Sequence, residues 1–307
     1  MNGETDLIDL RVFCSVARRS SFVAAATDLG ISPAYVSKRI AALETQLGVT
    51  LFHRTTRRVS ISDEGELAYG WARKILENVE GMVQAVAGRK GAPAGSLRIS
   101  ASVRLGSHHV SHALSLLQKK YPALQIWLEL VDRRVDLIAE GIDIDIRVGE
   151  VAEPHLVAQR IAESSRVLCA APAYLRARGV PKVLADLAQH ECLLFRDREQ
   201  AFGTWRLQGP KGLESIKVTG AVGSNQSDVI RNWALAGHGI TMLSIWDVAP
   251  QLKQGSLVRV LPAYAQPADV WAVTAARPSE SAKLEVCVEF LVEQLTRGPH
   301  ALVTDPR

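Results

Sequence analysis

The 307-residue sequence predicts a multidomain chain: a small, mainly α winged helix-turn-helix head, a long linker helix, and a C-terminal α/β region of two subdomains. Three observations predict it. Two apolar stripes at helical spacing meet at Gly30 and are followed by a basic strand-like pair. A single seam of apolar residues then runs from Ala68 to Val86. Beyond a Gly/Pro stretch at 88–96, short apolar runs alternate with helical patterns.

In the head, Asp6 can cap a first helix whose apolar face is Leu7, Leu10, Phe13 and Ala17, with Arg18 and Arg19 at its carboxyl end. Ser21 caps the second helix, with a stripe of Phe22, Ala25, Ala26 and Leu29. Gly30 can take the left-handed conformation that turns the chain. Ser32 caps the third helix and Pro33 fills its first position, where no N–H is needed. Val36, Ile40, Leu43 and Leu47 form its stripe. Small Ala26, the Gly30 corner and branched Val36 have the spacing of a helix-turn-helix. The outward face carries Ser32, Ala34, Tyr35, Ser37, Lys38 and Arg39, residues suited to base edges and phosphates. An ordinary αα-hairpin with a solvated face reads much the same, and the residues behind the third helix separate the two. Val59 and Ile61 alternate like a short strand, and Arg54, Thr55, Thr56, Arg57 and Arg58 form a basic tip. A hairpin there is a wing that brings arginines to a groove or the DNA backbone.

The stretch SSFVAAATDLGISPAYVSKRIAALETQLGVTLFHRTTRRVSISDEG resembles the DNA-binding region of LysR-type transcriptional regulators over about forty-five contiguous residues. The matching pieces are Ser-Phe-x-Ala-Ala-Ala, Val-Ser-x-x-Ile, Leu-Glu-x-x-Leu-Gly and Leu-Phe-x-Arg-Thr-Thr-Arg. Many members have Gln-Pro-Ala before the Val-Ser, where this chain has Pro33-Ala34-Tyr35. The base contact of that Gln is therefore absent, and Tyr35 is the candidate to replace it. The recognition helix is more like the subgroup that includes regulators of D-malate and tartrate use.

Composition is ordinary for a globular protein, and a net charge of +4 would not by itself point to nucleic acid. No apolar run reaches the length of a membrane span, and the acidic start lacks a signal-peptide pattern, so a cytoplasmic protein is expected. Cys14, Cys169, Cys192 and Cys287 are scattered without metal or redox spacing and read as reduced packing residues. No G-x-S-x-G, no phosphate loop and no other catalytic motif occurs, so no enzyme activity, cofactor or metal is expected. His108, His109 and His112 have no supporting Cys or carboxylate and read as a helix start rather than a metal site. Asp143 and Asp145 read as turn and edge residues.

After the winged domain at 1–61, residues 62–88 read as one helix opened by Asp63, Glu64 and Glu66. Its seam of Ala68, Ala72, Ile75, Val79, Met82 and Val86 has coiled-coil spacing and favours a homodimer through 62–88. A hinge comes next, at 89–96. Strands are expected at 97–101, 126–131 and 144–148, with a helix to about Tyr121 and a short one over 136–140, in a parallel sheet. A second set has strands at 167–170, 192–195, around Trp205, 216–218, 240–243 and 257–261, with helices at 172–178, 227–236 and 249–254. A strand at 268–274 returns to the first half, and a helix at 283–295 precedes a loose tail at 299–307. The division is thus 97–162 with 268–298 as subdomain I and 163–267 as subdomain II. The family resemblance implies a periplasmic-binding-protein-like effector domain with this double crossing.

Ligands of open α/β sheets sit beyond strand carboxyl ends, near helix N-termini. Here that points to Ser102, Arg104, Ser107 and His108 after the first strand, Arg147 and Arg196 at the ends of others, and Asn225 and Gln226 before the helix near Ser227. Hydroxyls, amides and guanidiniums suit a small anionic effector, most simply a carboxylate. The expected partners are double-stranded promoter DNA, that effector, and further copies of the chain as a homotetramer of two dimers, with RNA polymerase a candidate. The rival is a cytoplasmic solute-binding protein or small-molecule enzyme with a helical assembly domain.

Overall fold

The structure, a computed structural model, describes residues 5–54, 59–86, 93–196 and 203–302. It divides into two units, Met1–Gly91 with Asp136–Gly141, and Ala92–Val135 with Ile142–Arg307.

The first unit opens with α1 (Leu7–Arg19), whose N-cap Asp6 accepts from the Ile8 N–H. Helix α2 (Phe22–Leu29) is capped by Ser21, which accepts from the Ala24 N–H, and ends at Gly30 with φ +65°. Helix α3 (Pro33–Leu47) is capped by Ser32, which accepts from the Tyr35 N–H. Phe13, Val36, Ile40, Leu43, Ala25 and Ala26 are buried together in one core. The Phe52 ring packs edge-on to Phe13 and Phe22, with centroids 5.5 and 5.9 Å away. Each such large side chain contributes about 1.5–3 kcal/mol by leaving water. Leu47 departs from expectation: it closes the stripe at the helix end and stays exposed.

Strands β1 (Phe52–Arg54) and β2 (Val59–Ile61) pair antiparallel, Phe52 opposite Ile61. Glu44 on α3 fastens this hairpin, since its Oε1 accepts from the N–H groups of Leu51 (2.9 Å) and Phe52 (3.3 Å). Helix α4 (Asp63–Val86) comes next. The predicted seam splits on it. Ala72 is buried in the head core and Ala68 packs on it, whereas Ile75 and Met82 are exposed. The outward stripe is instead Leu67, Trp71, Ile75 and Met82. The seam slips because the first turns of α4 use one face to cover the head. The side chain of Val86 and residues 87–92, which include the first four of the expected hinge at 89–96, lie outside the described residues, and the last two of that hinge, Gly95 and Ser96, already belong to a strand.

The second unit holds two sheets. Strand β3 (Gly95–Ala101) runs into a short α5 (Val103–Leu105), a wide π turn (Gly106–Val110) and α6 (Ser111–Lys120). With β4 (Leu124–Leu130), β5 (Ile144–Val148) and β6 (Val157–Ala162), it belongs to a five-stranded sheet. β3 is parallel to β4 and β5, as expected. Three departures have physical causes. Residues 136–140, which count with the first unit, form a turn, not a helix, because the Asp136 carboxylate takes the Ile138 and Ala139 N–H groups and Gly141 turns left-handed (φ +63°). β6 escaped prediction because it is polar and exposed over Ala158–Arg160 and buries only its last two residues. Asp145 is no edge residue: it is fully buried on β5, accepting from the Ser100 hydroxyl at 2.6 Å.

The chain crosses at β7 (Ser165–Ala170), then runs through α7 (Pro172–Arg178), β8 (Leu194–Phe195), the hairpin of β9 (Thr204–Gly209) and β10 (Gly212–Lys217), and β11 (Gly223–Ser224). It continues through α8 (Ser227–Leu235), β12 (Thr241–Ser244), α9 (Ile245–Gln254), β13 (Val258–Arg259) and β14 (Ala265–Pro267). β7 lies between antiparallel neighbours β12 and β14, so this second sheet is antiparallel rather than a repeat of the first. Helix α9 begins four residues before the expected Ala249. Pro250 lies inside the helix, and a proline reads from sequence as a helix start. Strand β15 (Val270–Thr274) returns to the first sheet, antiparallel to β5 and β6. Helix α10 (Ala282–Thr296) covers it. The tail is anchored as far as Leu302, which is buried and donates its N–H to the Leu295 carbonyl (2.9 Å).

Candidate functional site

Two surfaces carry the chemistry, one in each unit. On the head, Ser32, Ala34, Tyr35 and Lys38 stand exposed along α3, with Ser37 half-buried beside them. Arg39 is different. Its guanidinium pairs with buried Asp9 and with Asp6 (3.1 Å), both on the α1 side, and lies over the Tyr35 ring at 5.9 Å. Burial works against its charge, but Asp9 and Asp6 hold its pKa above the ordinary arginine value. Arg39 therefore pins α3 to α1. Lys38 is the cation of α3 that the geometry presents outward. The wing backbone is in place through Arg54, while the Arg54 side chain and Thr55, Thr56, Arg57 and Arg58 lie outside the described residues.

In the second unit, a cavity of about 50 Å³ lies between the two sheets. Of the residues expected there, Ser102, Arg104, Arg147, Arg196 and Asn225 line it. Ser102 opens α5 without using its hydroxyl as a cap, which leaves that hydroxyl for another partner. Ser107, His108 and Gln226 do not line it. The Ser107 hydroxyl donates back to the Val103 carbonyl at 2.7 Å, and Gln226 is the backbone cap of α8. The His108 Nε2 accepts from the Arg104 guanidinium at 2.5 Å, which requires a neutral ring. Burial and the neighbouring Arg104 charge both hold the His108 pKa below its ordinary value.

Arg104 connects the two halves. It sits on α5, just beyond β3, and meets Asp247 on α9 (2.7 Å) and Asp228 on α8 (3.2 Å). Arg231 on α8 pairs with the same two carboxylates, each at 2.6 Å. Two guanidiniums and two carboxylates thus close a ring across the cleft. Arg147, also expected to face a ligand, is nearly buried between Asp145 (2.7 Å) and Glu153 (2.8 Å). Burial opposes the Glu153 charge, but the bonds from Arg147 outweigh it and lower the Glu153 pKa. An anion entering this cavity must share or displace these carboxylates.

Sequence reasoning missed Arg166, Ser227, Ser244, Trp246 and Asp247, all of which line the cavity. Arg166 lies near the start of β7, just before the apolar run from Val167 that marks the strand in sequence, and Asp247 and Trp246 lie on the turn of α9 that Pro250 disguised. Cys169, Cys192 and Cys287 are buried, with thiols pushed up to about 12 by burial, and none of the four cysteines forms a disulfide. Such thiols are not nucleophiles. No metal-binding cluster occurs among the described residues, and no helix among them is long and apolar enough to cross a membrane.

Residues 7–66 match the family described as bacterial regulatory helix-turn-helix protein, lysR family, and residues 90–296 match the LysR substrate binding domain. The chain belongs to the LysR family. This LysR-type chain is a DNA-binding transcriptional regulator controlled by a small effector, and not an enzyme. It is 47% identical over 291 residues to the HTH-type transcriptional regulator DmlR of Escherichia coli K12, covering 95% of each chain. It is 41% identical over 283 residues to the HTH-type transcriptional activator TtdR of the same strain, covering 92% of this chain and 91% of TtdR. Among solved structures it is similar to CrgA, a LysR-type regulator from Neisseria meningitidis (TM-score 0.58, 28% identity, 97% of this chain and 100% of CrgA). It is also similar to full-length AphB, the Vibrio cholerae virulence activator (TM-score 0.56, 27% identity, 94% and 98%).

Proposed function

We propose that the regulator reads promoter DNA through Tyr35, Ser37 and Lys38 of α3, with Arg54, Arg57 and Arg58 of the wing on phosphate or minor groove. Ser32, Ala34, Thr55 and Thr56 complete the proposed set as shorter contacts. The effector is a small carboxylate of the hydroxy-acid class, in keeping with the likeness to DmlR and TtdR and with a lining that holds four arginines and two aspartates. The observation that carries this reading is the position of Arg104, a cavity residue that is also the tie between the halves. A carboxylate that draws Arg104 away from Asp228 and Asp247 loosens one half from the other. The effector shifts the equilibrium by its differential affinity for the two arrangements. Chains dimerise through the outward stripe of α4, and two dimers join into a tetramer, so that half-sites are engaged together.

Fluorescence anisotropy on the regulator's own upstream DNA, across a salt series, tests the DNA reading. Each phosphate contact removed by Lys38→Ala or Arg57→Ala should lower the slope of log affinity against log salt by about 1. Equal slopes for wild type and both variants would sink it. D-malate and tartrate are then titrated onto the complex.

A further inference from the structure

Trp246 lines the effector cavity from the first turn of α9 and is only 7% exposed. Its indole Nε1–H is shut off from solvent and has no hydrogen-bond acceptor among the described residues. Buried indole N–H groups ordinarily find a partner, because leaving one unpaired wastes its full desolvation. The ring is held in place. His109 meets it edge-on with centroids 5.5 Å apart, and His109 is itself tied through Nδ1 to the His300 carbonyl (3.0 Å). That carbonyl can only accept, so His109 carries its proton on Nδ1. Burial keeps the His109 pKa below its ordinary value, so the ring stays neutral at neutral pH. Next along the helix, Asp247 holds Arg104 and Arg231. An unpaired neutral donor therefore stands beside the charged ring of the cleft, and an acid that parts the ring at Arg104 uncovers it.

We infer that Trp246 is a recognition residue of the effector site, donating its indole N–H to an oxygen of the bound acid. The inference rests on the small-acid reading of the cavity and adds a named donor to it. The guanidiniums supply attraction for negative charge from any direction. The fixed N–H adds direction, favouring an acid that places an oxygen at Trp246 when its carboxylate is at Arg104. Such a group is satisfied only in the complex, so its effect falls on affinity rather than on the stability of the free chain.

Two variants of the full-length chain test this. Trp246→Phe removes the N–H with some loss of volume. Replacing Trp246 by 3-benzothienylalanine exchanges the N–H for sulfur at nearly the same shape. Isothermal titration with D-malate, L-malate and tartrate should show 3- to 10-fold weaker binding for the benzothienyl chain, about the size of one hydrogen bond. Its Tm without acid should not fall. In the wild type labelled with 15N at tryptophan, the indole resonance missing from Trp246→Phe should shift downfield on titration. Unchanged affinity for every acid that binds the wild type would overturn the inference while leaving the small-acid reading standing. A lower Tm for the benzothienyl chain without acid would overturn it too, since the N–H would then already have an acceptor, with His109 Nε2 as the candidate. If none of the three acids binds the wild type, the small-acid reading and this inference fall together.

Discussion

Arg39 and Lys38 are neighbours in sequence with opposite surroundings. Lys38 is exposed, whereas Arg39 faces Asp9, which is almost fully buried. Removing one partner of such a pair strands the other charge out of water. Arg39→Met should therefore destabilise the head by about 2–3 kcal/mol in thermal melts, discounted for the partial exposure of Arg39. The salt slope of DNA binding should stay unchanged for the folded fraction. A lower slope with an unchanged Tm would make Arg39 a phosphate contact instead. Histidines set the second expectation at this scale. The folded pKa values of His108 and His109 are both lowered, chiefly by burial, so unfolded chains bind protons first as pH falls. The stability this represents is fully present above the ordinary histidine value of about 6.5 and is lost below it. Tm should fall between pH 7.5 and 5.5, and the fall should be shallower in His109→Gln. Parallel pH profiles for the two chains would refute this. Little of this was legible beforehand, because a guanidinium looks alike in sequence whether it meets an acid or a phosphate.

At the scale of elements, helix α4 carries the most informative revision. Heptad spacing located the helix and its apolar content, but two faces compete for those residues. Ala68, Ala72 and Leu76 serve the head core, and Leu67, Trp71, Ile75 and Met82 remain outside. An exposed stripe with a half-exposed tryptophan, repeated along one helix face, fits the dimer contact proposed above. Trp71→Glu should convert the assembly to smaller species in sedimentation velocity at micromolar concentration, with the head still folded by circular dichroism. An unchanged sedimentation coefficient would move the dimer contact elsewhere. Polar caps, by contrast, were plain in sequence. Ser21, Gly30, Ser32 and Pro33 each do what their chemistry favours, because capping is decided within four residues.

For the molecule as a whole, control of DNA binding by a small acid requires that the acid bind two arrangements of the effector domain unequally. Linkage then gives a coupling of typically about 1–3 kcal/mol, or 5- to 150-fold in DNA affinity. Asp247→Asn should shrink that coupling. It weakens the ring by which Arg104 joins the halves and which Arg231 completes from the second half, while the head is untouched. Anisotropy titrations with and without acid measure it. A coupling equal to wild type would remove the ring from the mechanism. In the effector domain, the unforeseen pairing of the second sheet and the missed cavity residues share one cause. Its second sheet is antiparallel and its cavity draws on β5, β7, β12 and α9, segments up to about a hundred residues apart in the chain.

Local chemistry alone therefore specified the helix-turn-helix, its caps and wing strands, the long linker helix and the α/β character of the remainder. Those features depend on spacing within a few residues, and on which groups accept or donate near a helix end. Tertiary packing decided which face of α4 is free, that Arg39 is a pin, that Arg147 is neutralised by Asp145 and Glu153, and that Trp246 and Asp247 belong to the cavity. A charge or an N–H takes its role from the partner that folding brings to it, and that partner is remote in sequence.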